Sequence, residues 1–228
     1  MRKGFILICY VIIAVGCNGV KNSSKETQSQ ENISEKKLTT AEAIAYANGF
    51  ENWDKVSEIN FTFNLDRGEN HFERSWSWKP KTGDVSMSMG ENTILYNRMK
   101  MDSIIEQTDA SFINDKYWLL APFNLVWDEG TIFTETQDVP APISNETLTK
   151  LTVVYGNEGG YTPGDAYDFY FGNDFIVKEW VYRRANDSEP TMTNTWEDYE
   201  TFNGIQIAKM HKDSTDDFKL FFTNISVK

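Results

Sequence analysis

Tyr117-Trp118-Leu119-Leu120-Ala121-Pro122-Phe123-Asn124-Leu125-Val126-Trp127-Asp128 is the densest apolar and aromatic stretch of the chain outside its first twenty residues. It shows no period-two alternation, so it does not read as a half-exposed strand, and Pro122 sits in its middle. Proline lacks an amide hydrogen, and its ring clashes with the carbonyl four residues earlier. The spacing predicts a short helix that ends near Leu120 and restarts with Pro122 as a first helical residue. Every long segment around it looks like a strand. A broken apolar helix among strands predicts a large antiparallel sheet that curls, with the helix lying against it and filling or gating the enclosed space.

Working outward, Thr39-Thr40-Ala41-Glu42 has the spacing of a capping box, and the good helix formers up to Ala47 with Gly49 as a stop predict a helix of about ten residues. From Val56 the period becomes two. Ile59, Phe61, Phe63 and Leu65 alternate with polar residues, and a turn at 66–69 leads into a return strand with Phe72, Arg74, Trp76 and Trp78 on one face. Asp84 to Met89 and Thr93 to Asn97 extend the meander. Asp109 is expected to cap a helical run that merges into the stretch at 117–128. Strands resume at Thr131 to Thr136, stopped by Pro140 and Pro142, and continue at Thr147 to Tyr155. Tyr167 to Phe171, Ile176 to Arg183, Met192 to Glu200, Ile205 to His211 and Phe218 to Val227 complete the pattern, and residues 156–160 read as a loop. This amounts to about ten strands and two or three helices with no βαβ rhythm, hence a mainly β, antiparallel fold.

Arg2 and Lys3 precede an uncharged, mostly apolar run from Gly4 to Gly16, the size of a secretory h-region and short for a membrane span. Ala14-Val15-Gly16-Cys17 ends it and resembles the lipobox of bacterial lipoproteins, with Ala where Leu is commonest at the first position. That resemblance implies a signal peptide over 1–16, removal of Cys9 with it, and acylation of Cys17 as the first mature residue, which ties the chain to a membrane. The alternative is an uncleaved anchor helix reaching Val20. Residues 17–38 are rich in Ser, Asn, Gln, Glu and Lys and predict a disordered tether. One domain, 39–228, remains.

The balance of 34 acidic against 22 basic residues argues against a nucleic-acid partner, which needs a positive footprint. His71 and His211 lie on predicted strands without a nucleophile beside them, and no His or Cys cluster has metal-ligand spacing. Asp213, Asp216 and Asp217 read as a solvated turn, and Asp165, Asp168, Glu197 and Asp198 as exposed strand positions. Neither a catalytic residue, a metal nor a cofactor is expected. The rings are the more informative set, 7 Trp, 10 Tyr and 15 Phe. Trp76, Trp78, Trp118, Trp127, Trp180 and Trp196, together with Met87, Leu119 and Phe123, either line a pocket for an acyl chain or another apolar ligand or pack as core between helix and sheet.

Strand order and the central proline-interrupted motif resemble the periplasmic lipoprotein-carrier (Lol-type) superfamily. The strings 117–125, Gly160-Tyr161-Thr162-Pro163-Gly164-Asp165 and Thr195-Trp196-Glu197-Asp198-Tyr199 are similar to a family of uncharacterised bacterial envelope lipoproteins of that type. The resemblance covers roughly residues 40 to 228. It implies an unclosed half-barrel with helices on the concave face and an apolar cavity between, and a non-enzymatic binding or carrier role for a lipid or a lipoprotein acyl group. A second reading makes the chain an envelope interaction or sensor protein with a filled core that binds another protein. Asn18 in place of an aspartate after Cys17 favours the outer over the inner membrane. Cys17→Ala is expected to block lipid labelling and leave the precursor unprocessed; normal membrane attachment of that variant defeats the acyl anchor.

Overall fold

A computed structural model of the chain describes residues 37–157 and 162–228. The expected signal peptide, Cys17 and nearly all of the tether lie outside the described residues, as do Glu158 to Tyr161 of the expected loop and turn.

Helix α1 (Thr40–Ala47) opens on the anticipated capping box: the Glu42 amide donates to Thr39 Oγ1 at 3.2 Å and the Thr39 amide donates to Glu42 Oε2 at 2.7 Å. It stops at Gly49, which has φ of +88°, before a 3-10 turn at Phe50–Lys55. Strands β1 (Ile59–Arg67), β2 (Asn70–Lys79), β3 (Asp84–Met89) and β4 (Asn92–Asn97) then form a meander. Helix α2 (Glu106–Trp127) leads from it to β5 (Thr131–Pro140), β6 (Thr147–Tyr155), β7 (Ala166–Phe171), β8 (Val177–Arg183) and β9 (Met192–Thr195), a second antiparallel sheet in that order. β10 (Glu197–Phe202), β11 (Ile205–Lys212) and β12 (Phe218–Val227) return to the first sheet, where β12 pairs with β1, giving the order β10-β11-β12-β1-β2-β3-β4.

The predicted alternation sets the register. Ile59 faces Trp78, Phe61 faces Trp76 and Phe63 faces Arg74, all on the concave side under α2. The opposite face of the same strands carries hydroxyls and amides that bond across strands, such as Thr62 with Ser75 at 2.8 Å and Asn60 with Ser226 at 3.0 Å. The two sheets meet at a corner. There the Trp196 amide donates to Lys178 O at 2.7 Å and the Lys212 amide to Thr195 Oγ1 at 3.1 Å. β4 and β5 are the free edges, so the curve stays open and the domain is an unclosed half-barrel with both helices on its hollow side.

Several local expectations change. There are twelve strands among the described residues, chiefly because Met192–Glu200 breaks at Trp196, whose side chain turns into the core while the chain passes from one sheet to the other. β5 ends at Pro140 as expected but runs on past Thr136 to reach it, its register slipping between Thr136 and Val139 with Asp138 at φ of +54°. Asp165 and Asp168 are buried, not exposed. Asp165 accepts from Tyr182 Oη at 2.7 Å and the Ala185 amide at 2.8 Å, and Asp168 pairs with Arg183 at 3.0 Å, because residues 183–187 fold back over them.

Gly49 is where α1 meets the β10–β11 turn: a methyl group there would lie 1.9 Å from the Gly204 carbonyl oxygen. Gly49→Ala combines that clash with an unfavourable positive φ. It is expected to destabilise the domain by about 2 kcal/mol or more and to lower Tm by roughly 4–8 °C, whereas Gly68→Ala, whose added carbon meets nothing within 4 Å, costs less. Thermal unfolding followed by circular dichroism checks both.

Candidate functional site: a cavity between the bent helix and the second sheet

The first half of α2 presents two faces. Asp109, Phe112 and Asp115 recur every third residue against the first sheet, while Ala110, Ile113, Asn114 and Tyr117 follow the i, i+3, i+4, i+7 pattern and line a cavity on the other side. Both aspartates are 0% exposed. Asp115 accepts from Arg74 Nε at 2.5 Å, Arg74 Nη2 at 2.6 Å and Trp76 Nε1 at 2.8 Å. Asp109 accepts from Arg98 Nε at 2.8 Å and Tyr96 Oη at 3.0 Å. It is therefore not the helix cap the sequence suggests: Ile105 occupies that position, and Asp109 lies inside the first turn. A buried carboxylate is tolerated only with its partners, so these bonds fix α2 on β2 and on the chain leaving β4.

The predicted break is present. Leu120 has φ of −129° and ψ of 26°, two residues before Pro122. Beyond it Phe123 and Trp127 pack on the turn after α1, with Phe50 and Phe123 centroids 5.3 Å apart and Trp53 and Trp127 4.7 Å apart. In a straight helix residues 116 and 124 stand about 12 Å apart along the axis. Here Lys116 Nζ donates to Asn124 Oδ1 at 3.3 Å.

The cavity has a volume of about 790 Å³, within the range of roughly 300–1,000 Å³ typical of small-molecule sites. Its sheet wall is aromatic: Tyr167 lies 4.9 Å from Tyr117, 5.3 Å from Trp180 and 5.1 Å from Tyr182, and Trp118 meets Trp180 edge-to-face at 4.4 Å between ring centroids. Arg98, Lys116, Asn124, Asp128 and Glu129 add a polar part of the lining. There Asn124 Nδ2 donates to Asp128 Oδ2 at 3.1 Å and Tyr155 Oη donates to the same oxygen at 2.8 Å. Tyr155 has one hydroxyl hydrogen, so Tyr117 Oη, 3.0 Å away, donates to it in turn. Burial, reinforced by Asp128, holds the Tyr155 phenol well above its ordinary range, and burial raises Tyr117 likewise. Burial pushes the Lys116 ammonium down to about 8, with Asp128 opposing and Arg98 adding to the shift.

Of the residues singled out from sequence, Trp118, Trp127 and Trp180 line the cavity. The others lie in or against the core around it. Trp76 and Trp78 pack on Phe112 with centroids 5.3 and 5.4 Å away, and Met87 faces Trp76 across β2 and β3. Leu119 and Phe123 are buried on α2, and Trp196 fills the corner 4.5 Å from His211 and 5.4 Å from Trp180. Cys17 lies outside the described residues. His211 is 0% exposed, and burial pushes it down to about 3, so it is neutral at neutral pH, its Nδ1 3.2 Å from the Thr195 carbonyl. Tyr155, Tyr167, Lys116, Asn124 and Asp128 were not anticipated. Their available signal was the second periodic face of α2 at 110, 113, 114 and 117, running alongside a stripe in which carboxylates interrupt apolar residues.

No protein-family model matches the chain, and no curated protein matches it. Among solved structures it is similar to a DUF1329 family protein from Desulfovibrio piger, at 9% identity over 83% of this chain and 92% of that one, with a TM-score of 0.45. It is also similar to a LolA superfamily protein from Nitrosomonas europaea, at 8% identity over 84% of this chain and 94% of that one, with a TM-score of 0.46.

Asp115→Ala strips Arg74 and Trp76 of their shared acceptor and leaves a largely buried guanidinium without a counter-charge. The expected cost is about 3 kcal/mol, most of which returns in the double variant Arg74→Met with Asp115→Leu. Urea unfolding of wild type, Arg74→Met, Asp115→Leu and the double variant closes that cycle, with Asp115→Ala measured beside them.

Proposed function

We propose that this protein is a non-enzymatic binding module for an apolar or amphipathic small molecule, with a lipid or acyl group the best-fitting class, tethered to the cell envelope through Cys17. The observation that carries the reading is the cavity itself. Large side chains ordinarily close the space between a helix and a sheet, yet here α2 is bonded to the first sheet and leaves about 790 Å³ against the aromatic wall of the second. A tether at the N-terminus and a receptacle in the domain suit a protein that takes up a poorly soluble molecule close to a membrane. A protein-docking role is the second reading, favoured by the apolar segment before α2, where Leu95, Met99 and Ile104 are 75%, 71% and 82% exposed.

Ala110 lines the cavity from α2 and is not among its bonds to the first sheet. Ala110→Trp puts an indole into part of the space and should weaken uptake of a fluorescent fatty acid and deplete any co-purifying lipid in the native mass spectrum, while shifting Tm by a few degrees at most. Undiminished uptake by a folded Ala110→Trp protein places binding elsewhere.

A further inference from the structure

Lys116 is the least accounted-for buried charge among the described residues. It is 8% exposed and lines the cavity. Lysine is almost never this buried without an ionic partner. An ammonium carries three donors, and among the described residues its one hydrogen-bond acceptor is Asn124 Oδ1 at the long distance of 3.3 Å. The Trp127 ring, 5.2 Å from Nζ, steadies the positive charge without accepting a conventional hydrogen bond. No carboxylate of the described residues comes within ion-pair distance. Asp128 on the same wall is already engaged by Tyr155 and Asn124, and Asp109 by Arg98 and Tyr96. The Asn124 amide is oriented by its bond to Asp128, so its oxygen is fixed toward Lys116 and the ammonium is held in place at the break in α2.

We propose that Lys116 is a head-group anchor: the cavity takes a single-chain amphiphile whose anionic head, a carboxylate or a phosphate monoester, meets the Lys116 ammonium while its chain lies along the aromatic wall. This rests on the reading of the cavity as a small-molecule site and adds the charge of the ligand. A neutral chain of the same length fills the same space but leaves the buried cation as it was. A cationic one adds a second positive charge beside Lys116 and Arg98. The groups facing Lys116 are Asp109 and Asp128 on or next to α2, Glu129 beyond it, Arg98 before it, and the Tyr155, Tyr167 and Tyr182 phenols of the second sheet. With the ammonium near 8 in the free protein, it is mostly charged at pH 7. A bound anion stabilises the proton, so affinity for the anion is full below pH 8 and falls as pH rises above it.

The test compares laurate, dodecyl phosphate and dodecanol by isothermal titration of the purified protein and its Lys116→Met and Lys116→Arg variants at pH 7 and pH 9.5. Near-ultraviolet circular dichroism checks that each is folded, and Lys116→Gln replaces Lys116→Met if that variant is not. Wild type is expected to bind one or both anions at least about tenfold more tightly than dodecanol, the worth of one charge-assisted hydrogen bond. Lys116→Met or Lys116→Gln should lose that preference while keeping dodecanol, Lys116→Arg should retain it, and raising the pH to 9.5 should weaken the anions alone. Laurate binding without dodecyl phosphate identifies a carboxylate site, and the reverse a phosphate site. If the neutral variants bind laurate and dodecyl phosphate as wild type does, the anchor is overturned while the cavity stands. If wild type binds none of the three, the cavity reading falls with it.

Discussion

Two buried carboxylates decide where everything else can go. Asp109 and Asp115 are one helical stripe of α2, and each reaches an arginine and an aromatic donor of the first sheet or its margin. Apolar packing alone would let the helix settle wherever the most surface is covered. Directed ionic bonds do not slide, because moving the helix by even one side chain would strand charges in the interior. The helix is therefore committed to one half of the half-barrel, and the room beside the other half is what that commitment leaves.

The break at Leu120 complements it. Before the break α2 belongs to the first sheet; after it, Phe123 and Trp127 belong to the aromatic packing around Phe50 and Trp53. The change of direction folds Asn124 back toward Lys116 and places Asp128 within reach of Tyr155 on β6. A single proline thus turns one side of the helix into a wall whose polar groups come from both of its halves.

The fold was readable because its signals are local. Alternating Ile59, Phe61, Phe63 against Trp78, Trp76, Arg74 gives two strands and their inward face without knowledge of anything distant, and Pro122 announces its own kink. The cavity was less readable because its parts are far apart in the chain. Tyr155 and Tyr167 are unremarkable strand tyrosines until antiparallel pairing of β6 with β7 puts them side by side, their centroids 5.8 Å apart. Size misled as well: tryptophans and phenylalanines chosen as pocket candidates are the residues that fill the space between layers best, and Trp76, Trp78, Phe123 and Trp196 do that here. Asp165 and Asp168 looked exposed because the backfolding of residues 183–187 over them leaves no periodic trace.

An open sheet leaves two borders where another chain could add itself strand by strand. The slip in β5 between Thr136 and Val139, with Asp138 in the left-handed conformation and Pro140 offering no amide, spoils the straight row of donors and acceptors that such an addition would need. The domain can therefore keep a gap in its wall without inviting its neighbours to zip onto that side and aggregate.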